Sequence, residues 1–245
     1  MDTVIKIAVC ITEDFEGQIS AESGGCVLNY MVWMVLAVPV IVTGMILHFK
    51  LKEWGRQKWN ILPKCLSTWM VVCTGIMGIW TAGDRQGMHK TWILAALVLF
   101  LLADGFLEVQ FFLGMGVFAA GHLILIVWFL EKGNYSGLSF VLWIVFLGLA
   151  LLLFRRELEQ GKQNPKLYIM ILYLAVLMGM AAIAVMLPWQ LDSTYSWAAA
   201  GAVLFSVSDM MVGKSFFHKL SKPADYLALS LYYTGIFCFS MMTWM

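Results

Sequence analysis

This sequence predicts an all-α integral membrane protein, a bundle of eight transmembrane helices, and three observations predict it. Of its 245 residues, 61% are hydrophobic and only 13% charged, with a mean hydropathy of +0.82. Soluble chains average about 45–50% apolar and about 25% charged residues. Eight apolar runs of 18 or more residues are separated by polar breaks. A helix of about 20 residues crosses ~30 Å of hydrocarbon, and over that length in lipid only a helix satisfies its own backbone. Finally, Lys and Arg gather in alternate breaks, as topology requires.

Taken in order, residues 1–26 read as a polar, acidic tail carrying Glu13, Asp14, Glu16 and Glu22. The apolar stretch Val4–Ile11 is short and interrupted by Lys6, so it lacks a signal-peptide core. Residues 27–245 form the transmembrane domain. The predicted spans are 27–49, 62–81, 91–110, 111–130, 137–154, 166–188, 195–213 and 224–244. Between the third and fourth no turn residue stands, only Glu108 and Gln110. The fifth is short and ends at Arg155-Arg156.

One set of loops and span ends holds twelve cations: Lys50, Lys52, Arg56, Lys58, Lys64, Arg155, Arg156, Lys162, Lys166, Lys214, Lys219 and Lys222. The other side holds four: Lys6, Arg85, Lys90 and Lys132. The positive-inside rule then puts both termini outside the cytoplasm of a multi-pass protein, with a bacterial cell membrane as the expected location. Net charge is +1, with no basic run and no nucleic-acid motif. The five cysteines, at 10, 26, 65, 73 and 238, form no disulfide framework and read as small packing residues.

Two aspartates lie inside the apolar runs, each after a similar hexamer. Leu99 to Asp104 reads LFLLAD and Leu204 to Asp209 reads LFSVSD. A carboxylate costs roughly 2.5–3.5 kcal/mol at the centre of a membrane helix on insertion scales, and such residues usually face a cavity and carry function. The third and seventh spans run in the same direction. Each aspartate lies ~20 Å along its helix, so both fall in the cytoplasmic half. The match suggests two parallel four-helix repeats, with chance similarity of short apolar hexamers as the alternative. In the seventh span Ala198, Ala202, Ser206, Asp209 and Gly213 share a face of small residues, so Asp209 should face protein. Asp104 and Glu108 are neighbours one turn apart, and Gly121-His122 falls in the middle of the fourth span. A plainer reading is open for each residue. The aspartates could serve only to bond helices together, His122 to fill the core, and Glu108 to sit in solvent at the interface.

These residues carry a resemblance. The chain resembles the lysoplasmalogenase (YhhN-like) family of integral membrane proteins over roughly residues 60–240. The matching elements are Ala103-Asp104 and Gly121-His122, the run Gly201 to Asp209 (GAVLFSVSD), the pair Tyr232-Tyr233, and Lys64-Cys65-Leu66. Ala103 stands where the family usually has glycine. No glutamine follows the tyrosine pair, where the family often has one; Gly235-Ile236-Phe237 stands there.

The resemblance implies eight helices and hydrolysis of the vinyl ether bond of lysoplasmalogens to a fatty aldehyde and a glycerophospho-headgroup. The expected partners are then a lysophospholipid substrate and the bilayer; the sequence specifies no protein partner. Acid cleaves a vinyl ether. A proton added to the alkene carbon gives an oxocarbenium ion, water adds, and the hemiacetal collapses. Two carboxylates manage a similar cation in glycosidases. Asp104 and Asp209 are therefore the candidate catalytic pair, one the acid and the other the base and cation stabiliser. His122, Ser206, Glu108, Lys64, Tyr232 and Tyr233 are candidates to orient or bind substrate. Neither aspartate has a cation within four positions on its own span; Lys214, five beyond Asp209, is a candidate for a lipid phosphate.

No metal or cofactor is expected: His48, His89, His122 and His218 are scattered and no H-E-x-x-H occurs. No G-x-S-x-G marks a serine hydrolase. A proton-coupled transporter or lipid-binding protein built on the paired aspartates is the alternative function.

Overall fold

The computed structural model describes residues 24–55, 59–82, 84–133, 136–160, 165–218 and 220–245. Residues 1–23 of the predicted tail, and the loop cations Arg56, Lys58, Lys162 and Lys219, lie outside these. Among the described residues there are nine α-helices and no strand. They are α1 (Gly24–Glu53), α2 (Ile61–Ala82), α3 (Asp84–Val109), α4 (Phe111–Lys132), α5 (Gly137–Leu153), α6 (Arg155–Gln160), α7 (Pro165–Gln190), α8 (Ser196–Phe217) and α9 (Lys222–Met241). The chain divides into two compact units, Met1–Leu36 and Ala37–Met245. Of the first, only the opening of α1 is described. All that follows concerns the second.

Every predicted span contains a helix. Among the described residues, six helices are long and apolar enough to cross a membrane: α1, α2, α3, α4, α7 and α8. The protein is thus an all-helical, multi-pass membrane protein. Two of the eight predicted spans, α5 and α9, fall outside these six. α5 has 17 residues, about 26 Å at 1.5 Å each, short of the ~30 Å core. It stops at Leu153, and the chain turns into the six-residue α6 at the predicted Arg155-Arg156 end. α9 has 20 residues, but Ser230, Tyr232, Tyr233, Thr234 and Ser240 dilute its apolar character.

Six helices close a ring in which each packs on the next: α2, α3, α4, α7, α8, α9 and back to α2. α3 also touches α9 across the ring, and α5 lies outside against α7. The ring is filled by aromatic side chains. Phe100, Phe118, Phe205, Phe239 and His122 are almost wholly buried and meet at ring-centroid distances between 4.7 and 6.4 Å. Offset and edge-to-face pairs of this kind add ~0.5–1.5 kcal/mol each beyond burial. The end of α1 is tied to the start of α9 by two ion pairs, Lys52 with Asp225 and Lys222 with Glu53, and by Phe49 against Tyr226.

The break between α3 and α4 is a single residue. Gln110 is extended (φ −147°, ψ 105°), and α4 starts at Phe111. So tight a hairpin forces the two helices together at once. A Cβ on Gly114 would lie 2.5 Å from the Leu107 backbone nitrogen and 2.8 Å from its Cα. These are backbone atoms that have nowhere to move. Gly114→Val should therefore destabilise the protein by at least ~1–3 kcal/mol, the usual cost of overpacking. A thermal unfolding midpoint in detergent equal to that of the unmodified protein would refute this account of the turn. A second close approach joins α8 to α9, where a Cβ on Gly201 would meet the Gly235 carbonyl oxygen at 2.9 Å.

Candidate active site

Helical spacing delivers both aspartates to the inside of the ring. On α3, Ile93, Ala96, Leu97, Phe100 and Ala103 recur at spacings of three and four and are fully or almost fully buried. Asp104 continues that stripe and is 1% exposed. On α8, Ala198, Gly201, Ala202, Phe205, Ser206 and Ser208 are buried, and Asp209 sits half-buried at the end of their face. The two hexamers meet in space. Phe100 and Phe205, which hold the same position in each, lie 5.1 Å apart by ring centroids. Each aspartate follows its phenylalanine by four residues, about one helical turn. Both then line one cavity of about 240 Å³.

The two carboxylates have different surroundings. Asp104 is held by three partners. Lys64 Nζ is 3.2 Å from Oδ1, while Thr68 and Tyr232 donate hydroxyl hydrogen bonds to Oδ2 at 2.5 and 2.8 Å. Thr68 follows Lys64 by one turn of α2, so one helix face presents both. Tyr233 donates to the Lys64 carbonyl oxygen at 3.0 Å, tying α9 to the base of this cluster. Lys64 also lies 3.9 Å from Glu108, so its ammonium stands between two carboxylates one turn apart on α3. A buried carboxylate with an ammonium and two hydroxyl donors has the support an anion needs.

Asp209 has no such cation: among the described residues no Lys, Arg or His lies within ion-pair distance of it. It accepts a hydrogen bond from the Tyr173 phenol of α7. The Tyr173 oxygen is in turn 3.4 Å from His122 Nε2. With its proton directed to Asp209, the phenol oxygen accepts from the imidazole, which fixes His122 as the Nε2–H tautomer. Nδ1 of that ring is buried and has no hydrogen-bond partner among the described residues.

The structure sorts the residues singled out in the sequence. Asp104, Asp209, Lys64, Glu108 and Tyr232 line the cavity. His122 and Tyr233 stand behind it, reaching it through Tyr173 and Lys64. Two more of the residues lie outside its lining. Ser206 is buried outside the cavity's lining, its hydroxyl without a partner among the described residues; Ser208 lines the cavity and donates to the Ala228 carbonyl at 2.7 Å. Lys214 is also elsewhere, its ammonium 5.9 Å from the Phe154 ring. Five residues turn it ~140° around α8 from Asp209. Glu108 is neither lost to solvent nor buried: its side chain, 34% exposed, stands at the cavity's rim beside Lys64.

Sequence reasoning missed Tyr173 and Thr68. Thr68 had a signal, its one-turn spacing from Lys64. Tyr173 had only the weak one of a phenol between Leu172 and Leu174 in an apolar run. Among the described residues no group of three His, Cys, Asp or Glu side chains is placed to hold a metal ion.

The sequence model of the YhhN family matches residues 59–243, three quarters of the chain. No curated protein and no solved structure matches it.

Proposed function

The chain belongs to the YhhN family, which is the lysoplasmalogenase family, and from that premise we propose that it hydrolyses the vinyl ether bond of lysoplasmalogens. The observation that carries this reading is the pair of carboxylates in one cavity, one supported as an anion and one with no ion-pair partner among the described residues. Carboxylates in contrasting environments divide the roles of acid and ionised partner.

Asp209 is the proton donor. It transfers a proton to the outer alkene carbon, and the electron pair of the double bond forms the new C–H bond. The adjacent carbon and the ether oxygen then share the positive charge of an oxocarbenium ion. Asp104, ionised against Lys64, faces that charge and steers water to the cationic carbon. The proton lost by the water returns to Asp209. The resulting hemiacetal breaks its bond to the glycerol oxygen, which leaves as a hydroxyl with the aldehyde as the other product. Tyr173 holds Asp209 in place through the reaction, and His122 holds Tyr173.

The same reading counts α5 and α9 as crossings, for eight in all. α9 supports this by closing the ring with two buried tyrosines. The cavity then opens toward the basic, cytoplasmic loops, and both termini lie on the opposite side. Lys52, Lys64, Glu108, Ser215 and Asp225, all near helix ends of that one side, line it.

The test is a matched pair of substrates. Purified protein given a lysoplasmalogen should release aldehyde, and given the saturated-ether analogue it should release none, because only the alkene carbon can take the proton. No aldehyde from the first, or equal cleavage of both, refutes the reading.

A further inference from the structure

Asp209 lies where the polar cavity meets a second, apolar space, and we propose that this space is the subsite for the hydrocarbon chain of a single-chain ether lipid. The inference rests on the reaction assigned above and adds where the chain goes and what limits it. The space measures about 30 Å³. Leu107, Phe111, Phe118, Asp209 and Val212 line both it and the cavity, so the two adjoin along these side chains. Beyond them it is walled by Met115, Phe154, Met170, Leu174 and Gly213. The polar side chains in its lining are Asp209 and Tyr173, and the Tyr173 hydroxyl is already given to that carboxylate.

The order of chemistry along this path matches one kind of molecule. Charged groups (Lys52, Lys64, Glu108, Asp225) lie on one side of Asp209, and sulfur and hydrocarbon lie on the other. A lipid whose polar head joins a single chain through one ether bond places the head, the reacting carbons and the chain in that sequence. Apolar walls reward hydrocarbon and penalise an unpaired polar group. The space is a slot, holding only the section of chain next to the ether, with the remainder continuing among the lipids. Gly213 lies in its wall, facing Phe154. A Cβ there would lie 3.3 Å from the Phe154 ring, so any larger side chain grows into the slot.

The experiment is photo-crosslinking of the purified full chain. The probe is a saturated-ether lysophospholipid with a diazirine on the chain carbon third from the ether oxygen, and adducts are mapped by mass spectrometry. Adducts are expected on Phe154, Met170 or Leu174. Gly213→Leu and, independently, Leu174→Trp should each lower labelling about tenfold by filling the slot. Adducts concentrated on α2 or α9, or full labelling in both variants, overturn the proposal. Where a variant does not fold, the adduct map of the unmodified chain decides. Labelling in the slot by a protein that leaves lysoplasmalogens intact upholds the subsite and overturns the vinyl ether reading. Cleavage with labelling elsewhere does the reverse.

Discussion

Replacing Asp209 with asparagine should lower aldehyde release about 10²–10⁴-fold, the usual contribution of a positioned general acid. The amide has the size of the carboxyl and can still accept the Tyr173 hydrogen bond, so the helix contacts survive. What it lacks is an acidic proton. The loss should therefore fall on the single-turnover rate constant, with the unfolding midpoint in detergent close to that of the unmodified protein. An asparagine variant that keeps at least a fifth of the activity removes Asp209 from the mechanism.

The ion pair between Lys64 and Asp104 gives the second large effect. The side chains are 10% and 1% exposed, so each charge depends on the other. Removing one partner of such a pair typically costs ~3–5 kcal/mol, because the survivor is left charged without water. Lys64→Met should impose that loss. Adding Asp104→Asn to it should restore most of the stability, since replacing both charges with neutral groups is often near neutral. Activity should stay lost in the double variant, because the carboxylate that faces the cation is gone. Unfolding in detergent, paired with the aldehyde assay, separates the two quantities. If Lys64→Met proves as stable as the parent, or the double variant no more stable than Lys64→Met, the pair is not the tie described.

How far the sequence carried this picture depended on the kind of information each feature needs. The aspartates were legible because an acid inside an apolar run is anomalous in one dimension. Their convergence was half legible: the repeated hexamer pointed to it, and the contact of Phe100 with Phe205 gives that repetition a physical form. The pairing of Lys64 with Asp104 was not legible. Its members sit on α2 and α3, forty residues apart, and only packing brings them together. Tyr173 was hidden for the same reason. Helical arithmetic alone places Lys214 on a different face of α8 from Asp209, since ~140° of rotation separates them. The length of α5 was also readable, because a run of barely 18 residues leaves no margin for a turn at its end.

The single extended residue at Gln110 has a mechanical consequence. A connection that short has no slack, so α3 and α4 can neither slide nor swivel independently. Asp104 on one and His122 on the other thus ride on the same rigid lever, and their relative placement survives any breathing of the bundle.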